Sequence, residues 1–352
     1  MQAIAKFTPA FLLAWAIGGE TFAVAGPAED QYAVGAGHYQ QQRWKLAAAE
    51  FRTFLADFPN HAKASRATFY LAESLVQLRE FEAAATEFRE FRRKFPQDRL
   101  ANKALFRSGE ASYLAGNLKE AEHDLGEFQT QAPDDPLNAY VLPYLGDIAA
   151  QGGDARKAQQ LFSQGLERYP QGPLQDDCRF GLAKSLETLG NVEDAQRIYL
   201  ALASKSASPW ADDAQFRLGA SQYAQGNYAA ALETFDAFRT GFANSEWKDK
   251  AALAAGQSLF YLQQYDQALA RFQALTSQAH VGLEARYWIG LTQKARHEWD
   301  AAASTLLAAA AEEQRPPLAP ALRFHAGDAL VQAGKLPEAN AQFDLVFERW
   351  AD

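Results

Sequence analysis

The sequence predicts an all-α solenoid of about nine helix-turn-helix units, and three columns of residues carry that prediction. One Ala recurs at Ala47, Ala84, Ala121, Ala158, Ala195, Ala231, Ala268, Ala302 and Ala339, at a step of 37 residues except for single steps of 36 and 34. A large apolar side chain follows each by four positions, at Phe51, Phe88, Leu125, Phe162, Tyr199, Phe235, Phe272, Leu306 and Phe343. A small residue precedes each by twelve, at Gly35, Ala72, Gly109, Gly146, Ala183, Gly219, Gly256, Gly290 and Gly327. Three columns holding register over nine units define a repeat whose members bury their apolar faces on one another.

Each unit is then read in chain order. Helix A carries the small column, which lets helix B approach closely, because a bulky side chain there would hold the axes apart. A turn follows, most explicit at Gly116-Asn117, Gly153-Asp154, Gly190-Asn191 and Gly226-Asn227. Gly suits the left-handed conformation that ends helix A, and Asn or Asp can cap the first amides of helix B. Units one, two, seven and eight put Gln42, Arg79, Gln263 and His297 in place of that Gly, so they either bear backbone strain or turn differently. An apolar residue opens helix B at Trp44, Phe81, Leu118, Tyr228, Tyr265, Trp299 and Leu336, three positions before the Ala column. Helix B ends at Pro59, Pro96, Pro133 or Pro170, a residue that cannot continue it; later units shift or lose this Pro, as with Pro209 and Pro316.

Small residue, Gly-Asn/Asp turn, aromatic, Ala, aromatic and Pro in this order resemble the tetratricopeptide repeat over residues 28 to 351. The period exceeds the family's usual 34 by about three residues, which fall in linkers such as Pro59-Asn60-His61-Ala62. The longer linker is similar to that of periplasmic envelope proteins such as outer-membrane assembly lipoproteins and the Tol–Pal-associated division coordinator. The resemblance implies a right-handed superhelix with the A helices lining a concave groove that takes an extended peptide or a partner helix. The family's carboxylate-clamp members use Lys and Asn in groove columns; here one of those Lys columns is aromatic and the Asn column is acidic or apolar, so that mode is not implied.

Groove candidates follow from the columns that vary. One residue past the small column stand Glu73, Glu110 and Asp147 in successive units, an acidic strip that would favour a basic segment. Arg66 and Lys103 precede Glu73 and Glu110 by seven positions, and Arg107 precedes Glu110 by three, so local pairing along helix A is the competing expectation. Tyr39, Tyr113, Tyr223 and Phe260, one turn further on, are the aromatic candidates. The column at Tyr32, Phe69, Phe106, Phe180, Phe216, Tyr287 and Phe324 recurs too regularly to be a site and is expected to pack between neighbouring A helices. Arg89, Arg92, Arg93 and Lys94, with Arg99 beyond, interleave with Glu87 and Glu90 on helix B and are expected to form a solvated outward face.

Composition narrows the function. Across 352 residues, Lys+Arg 34 against Asp+Glu 43 gives a formal charge of −9, against a nucleic-acid partner. The single thiol, Cys178, sits in a column that five other units fill with Ala67, Ala104, Ala214, Ala251 and Ala285 and reads as a buried Ala substitute that can form neither an internal disulfide nor a multi-cysteine zinc site. The sequence has no G-x-S-x-G, H-E-x-x-H or G-x4-G-K-[ST], and its six His are scattered without metal spacing. No catalytic residue, metal or cofactor is expected, although carboxylates alone could support glycoside chemistry. Residues 1 to 25 combine Lys6, an apolar stretch from Phe7 to Ile17 and Ala23-Val24-Ala25, a secretory signal pattern too short to span a bilayer.

The expected protein is thus a repeat array over 26–352, periplasmic or secreted, with no transmembrane anchor after cleavage. It is expected to bind a protein or extended peptide in envelope assembly, division or secretion, with glycan or peptidoglycan binding as the alternative. Helix B of the ninth unit ends the sequence without a polar covering helix, which suggests a longer chain or a terminal face that meets another chain.

Overall fold

The computed structural model describes residues 26–313 and 317–350; the signal pattern and Pro316 lie outside them. Among the described residues there are eighteen α-helices and no strands, and no helix is long and apolar enough to cross a membrane. The chain divides into two compact units at Gly190. The first holds α1 Pro27–Gln40, α2 Trp44–Asp57, α3 Ala64–Gln77, α4 Phe81–Lys94, α5 Ala101–Leu114, α6 Leu118–Gln131, α7 Asn138–Gln151, α8 Ala155–Arg168 and α9 Gln175–Thr188. The second holds α10 Val192–Ala203, α11 Ala211–Ala224, α12 Tyr228–Gly241, α13 Lys248–Tyr261, α14 Tyr265–Gln273, α15 Gly282–Ala295, α16 Trp299–Glu312, α17 Leu318–Gln332 and α18 Leu336–Trp350. Odd-numbered helices are the predicted A helices and even-numbered ones the B helices.

The small column meets the large one, as expected. A Cβ built on Gly109 would lie 2.6 Å from Cγ of Leu125, and one on Gly290 2.4 Å from Cγ of Leu306. The absent methyl group is therefore what sets the A-to-B distance. Phe51, Phe88, Phe235 and Phe272 are fully buried, each contributing about 1.5–3 kcal/mol of apolar burial. The recurring aromatic column of helix A does pack, but mainly against helix B of its own pair. Tyr32 sits 5.9 and 5.7 Å from Phe51 and Phe54, and Phe69 5.4 and 5.7 Å from Phe88 and Phe91. Packing toward the next A helix occurs as well: Phe106 reaches Tyr140 at 6.1 Å, Phe216 stacks at 4.7 Å on Trp247 at the start of α13, and Tyr287 lies 5.7 Å from His325.

The turns share one geometry. Gly116, Gly153, Gly190, Gly226 and Gly334 have φ between 77° and 83°, and Gln42, Arg79, Gln263 and His297 adopt the same left-handed region at 58° to 61°. The four side-chain-bearing units therefore accept backbone strain and keep the turn. The amide after the left-handed residue donates back across it, as from Asn117 N to Ser112 O at 2.9 Å and Gln264 N to Leu259 O at 2.9 Å, which satisfies carbonyls at the end of helix A. The expected Asn caps do not form: Asn117, Asn191 and Asn227 accept no side-chain capping bond. Asp154 does, from Lys157 N at 2.9 Å. Helix B stops two residues short of each predicted Pro, with α2 ending at Asp57 and α4 at Lys94.

Candidate functional site

In the first unit the predicted acidic strip is occupied by a buried cation. Arg107 of α5 reaches back to α3, where its Nε and Nη2 donate to the two carboxylate oxygens of Glu73 at 2.9 and 2.8 Å. Its Nη1 donates to Glu110, whose other oxygen accepts the Tyr144 hydroxyl of α7 at 3.1 Å. Glu73, Arg107 and Glu110 are 8%, 7% and 6% exposed. Burial opposes the guanidinium charge, but Glu73 and Glu110 outweigh it and raise the Arg107 pKa above its ordinary value. Burial first, and the Glu110 charge second, hold the Tyr144 hydroxyl in its neutral donor form.

The same chain of contacts continues through Asp147, which accepts the Tyr113 hydroxyl at 2.6 Å and the Gln151 side-chain amide. Tyr113 is fully buried, with its ring 4.8 Å from that of Tyr144. Glu73, Glu110, Asp147 and Tyr113 thus belong to one polar network between successive A helices. Arg66 is exposed and takes no part in it, and Lys103 instead places its ammonium 5.4 Å from the Phe69 ring centroid. The pairing expectation named Arg107 for Glu110 only; the longer reach to Glu73, 34 residues away, was missed. Tyr39 packs at 5.2 Å from Trp44 and 4.8 Å from Tyr70.

The basic cluster of α4 is neutralised on the B helices. Arg89 Nε donates to the buried Asp124 at 3.1 Å and Arg92 holds both oxygens of Glu127 at 3.2 and 2.9 Å, while Arg93 and Lys94 pair with Glu90. Ligand atoms of His123, Asp124 and Glu127 lie within 4.8 Å of one another, but the two guanidinium groups already occupy both carboxylates. Cys178 is buried; burial foremost pushes its thiol up to about 12, so it remains protonated and is a poor nucleophile.

The second unit presents a different helix-A face. Tyr223 lies 5.3 Å from Tyr228 and 5.8 Å from Tyr261, and Tyr228 stacks on the exposed Tyr261 at 4.6 Å with 10° between planes. Phe260 meets Trp288 at 5.3 Å. Beside Tyr223 a cavity of about 320 Å³ opens between α11 and α13, with Phe216, Phe235 and Leu253 among its walls and Lys250 and Glu284 among its polar residues. Four of the sequence-derived candidates, Glu73, Glu110, Asp147 and Tyr113, are therefore brought together in the first unit. Tyr223 and Phe260 stand in the second.

Paired helices stacked in register, each unit repeating one turn and one small-against-large contact, define a helical-repeat protein of the kind that serves as a protein-binding scaffold. The chain belongs to the tetratricopeptide repeat family, whose model matches residues 35–99, 69–136, 144–208, 180–246, 253–293 and 290–351. A comparison with curated proteins found no match. Among solved structures, it is similar to a tetratricopeptide repeat protein from Parabacteroides merdae, at 15% identity and a TM-score of 0.51 over 76% of this chain and 98% of that one. It is also similar to the C-terminal part of a tetratricopeptide repeat-containing protein from Cytophaga hutchinsonii, at 14% identity and a TM-score of 0.59 over 70% and 95%. The apo form of RapI aligns over 92% of this chain and 97% of its own at 13% identity and a TM-score of 0.55. These likenesses concern the fold.

Proposed function

We propose that the protein is a non-enzymatic scaffold that holds a segment of another protein against its A helices, exported to the periplasm or secreted, and acting in envelope assembly, division or secretion. The observation that carries this reading is the contrast between ionisable groups and apolar surface on the A helices. The buried Glu73 and Glu110 and the half-buried Asp147 are tied to Arg107 and tyrosine hydroxyls, which leaves no acid–base pair poised for chemistry in that network. The second unit keeps aromatic surface and a cavity, the elements a peptide groove uses. Export rests on the pattern of residues 1 to 25, and the envelope role on linker length. Two of the aromatic candidates give a glycan no open face to stack on, which does not favour that alternative: Tyr113 is fully buried and Tyr39 is packed against Trp44 and Tyr70.

In-cell crosslinking of the tagged full chain in its native host, with crosslinked positions mapped by mass spectrometry, tests the reading. We expect one envelope protein to be captured at positions on α11, α13 and α15. Recovery of the chain alone, or fractionation of the protein to the cytoplasm, would overturn it.

A further inference from the structure

Comparison of equivalent positions in the two units explains why the cavity exists. In the first unit, from α3 to α5 and from α5 to α7, the residue one past the small column on one A helix bonds the residue two before the small column on the next. Glu73 meets Arg107 in this way, and Glu110 meets Tyr144. The equivalent pair on α11 and α13 is Ala220 and Ala254, and both line the cavity. A carboxylate and a phenol ring are thus replaced by two methyl groups, while Phe216 keeps the place of Phe106, and Phe235 and Leu253 stand where the first unit has Leu125 and Pro143. Tyr223 holds the place of Tyr113, the residue whose ring packs 4.8 Å from Tyr144. Phe235 is the large residue opposite Gly219, as close as 2.7 Å to a Cβ built there, and it closes the floor.

We infer that this cavity is a binding pocket for an aromatic side chain of an extended partner segment, seated where Tyr144 sits in the first unit. The inference rests on the scaffold reading above and assigns the chemistry of the residue recognised. The volume of about 320 Å³ admits one ring and its linker, and Tyr223, Phe216 and Leu253 supply the apolar contacts that an incoming ring would bury. The polar residues give the segment a direction. Lys250 lies 4.7 Å from the Trp247 ring centroid and has no carboxylate partner among the described residues. Among the described residues Glu284 has no ion-pair partner, and its carboxylate accepts the Gln257 amide at 3.4 Å. An acidic residue beside the aromatic one, on the Lys250 side, complements this arrangement.

The test pans a displayed library of random linear peptides against the full chain and measures selected peptides by fluorescence polarisation. Selected peptides are expected to share a Phe, Tyr or Trp next to Asp or Glu. Ala254→Tyr, which restores the ring of the first unit, should weaken them by roughly ten- to a hundredfold, the value of one buried aromatic side chain, without lowering the melting temperature. Replacing the peptide's aromatic residue by Ala should cost as much, and the two changes together little more than either. Lys250→Glu should weaken acidic peptides and favour basic ones. Ala254→Leu serves as the filling variant if the tyrosine impairs folding. Peptides that bind folded Ala254→Tyr and Ala254→Leu variants undiminished, yet are weakened by Arg66→Glu or another change on the A helices, would overturn the pocket and leave the scaffold reading standing. Failure to select any binding peptide would overturn both.

Discussion

Arg107 illustrates how a single side chain decides what a surface can do. Three carboxylates in one column look like an electrostatic invitation, but a guanidinium that bonds both Glu73 and Glu110 turns that stretch of α3 and α5 into buried structure. Removing one partner from such a group leaves charge buried without compensation, so Arg107→Leu should destabilise the first unit by about 3–5 kcal/mol, whereas leucine at positions 73, 107 and 110 together should be close to neutral. Urea denaturation followed by circular dichroism measures both; a harmless single variant would show that water solvates the network. The sequence exposed only half of this arrangement. Spacing along one helix pairs Arg107 with Glu110 three positions on, but the Glu73 contact spans 34 residues and exists only because α3 and α5 stack in register. The cavity was less legible still, because Ala220 and Ala254 read as ordinary helix formers until they are set beside the pairs Glu73–Arg107 and Glu110–Tyr144 that hold the same places in α3, α5 and α7.

The helix pair was the most legible level. Gly opposite Phe or Leu is a steric demand that the chain states directly, as at Gly109 and Leu125, so the order A, turn, B could be read without any contact information. The turn's strain could be read too, but only as a choice between strain and a changed geometry. The chain takes the strain at Gln42, Arg79, Gln263 and His297. A left-handed L-residue costs about 1–2 kcal/mol, part of which glycine returns as flexibility of the unfolded chain. Gln263→Gly and Arg79→Gly should therefore each stabilise by about 0.5–1 kcal/mol, seen as a rise in the urea midpoint. A fall would mean that the native side chain makes a compensating contact. The Asn caps were not foreseeable as absent, because capping depends on the side-chain rotamer and not on the residue type alone.

At the scale of the whole chain, a repeat array contacts only its neighbours, so stability is local and need not be uniform. In α5 every position from Ala104 to Tyr113 is buried, whereas α18 has Ala339 as its buried residue and leaves Phe347 75% exposed. Amide hydrogen exchange should therefore be slowest in α5 and α7 and fastest in α18; uniform protection along the array would indicate one cooperative unit. The alanines at 220 and 254 carry a consequence for engineering. A designer who averaged this protein's own repeats into a consensus, or selected variants for heat resistance, would install large residues at those two places early, because doing so fills a void. The product would score as an improvement in every assay of folding and would have lost its site of recognition, so thermostabilised versions should be built with both positions held fixed.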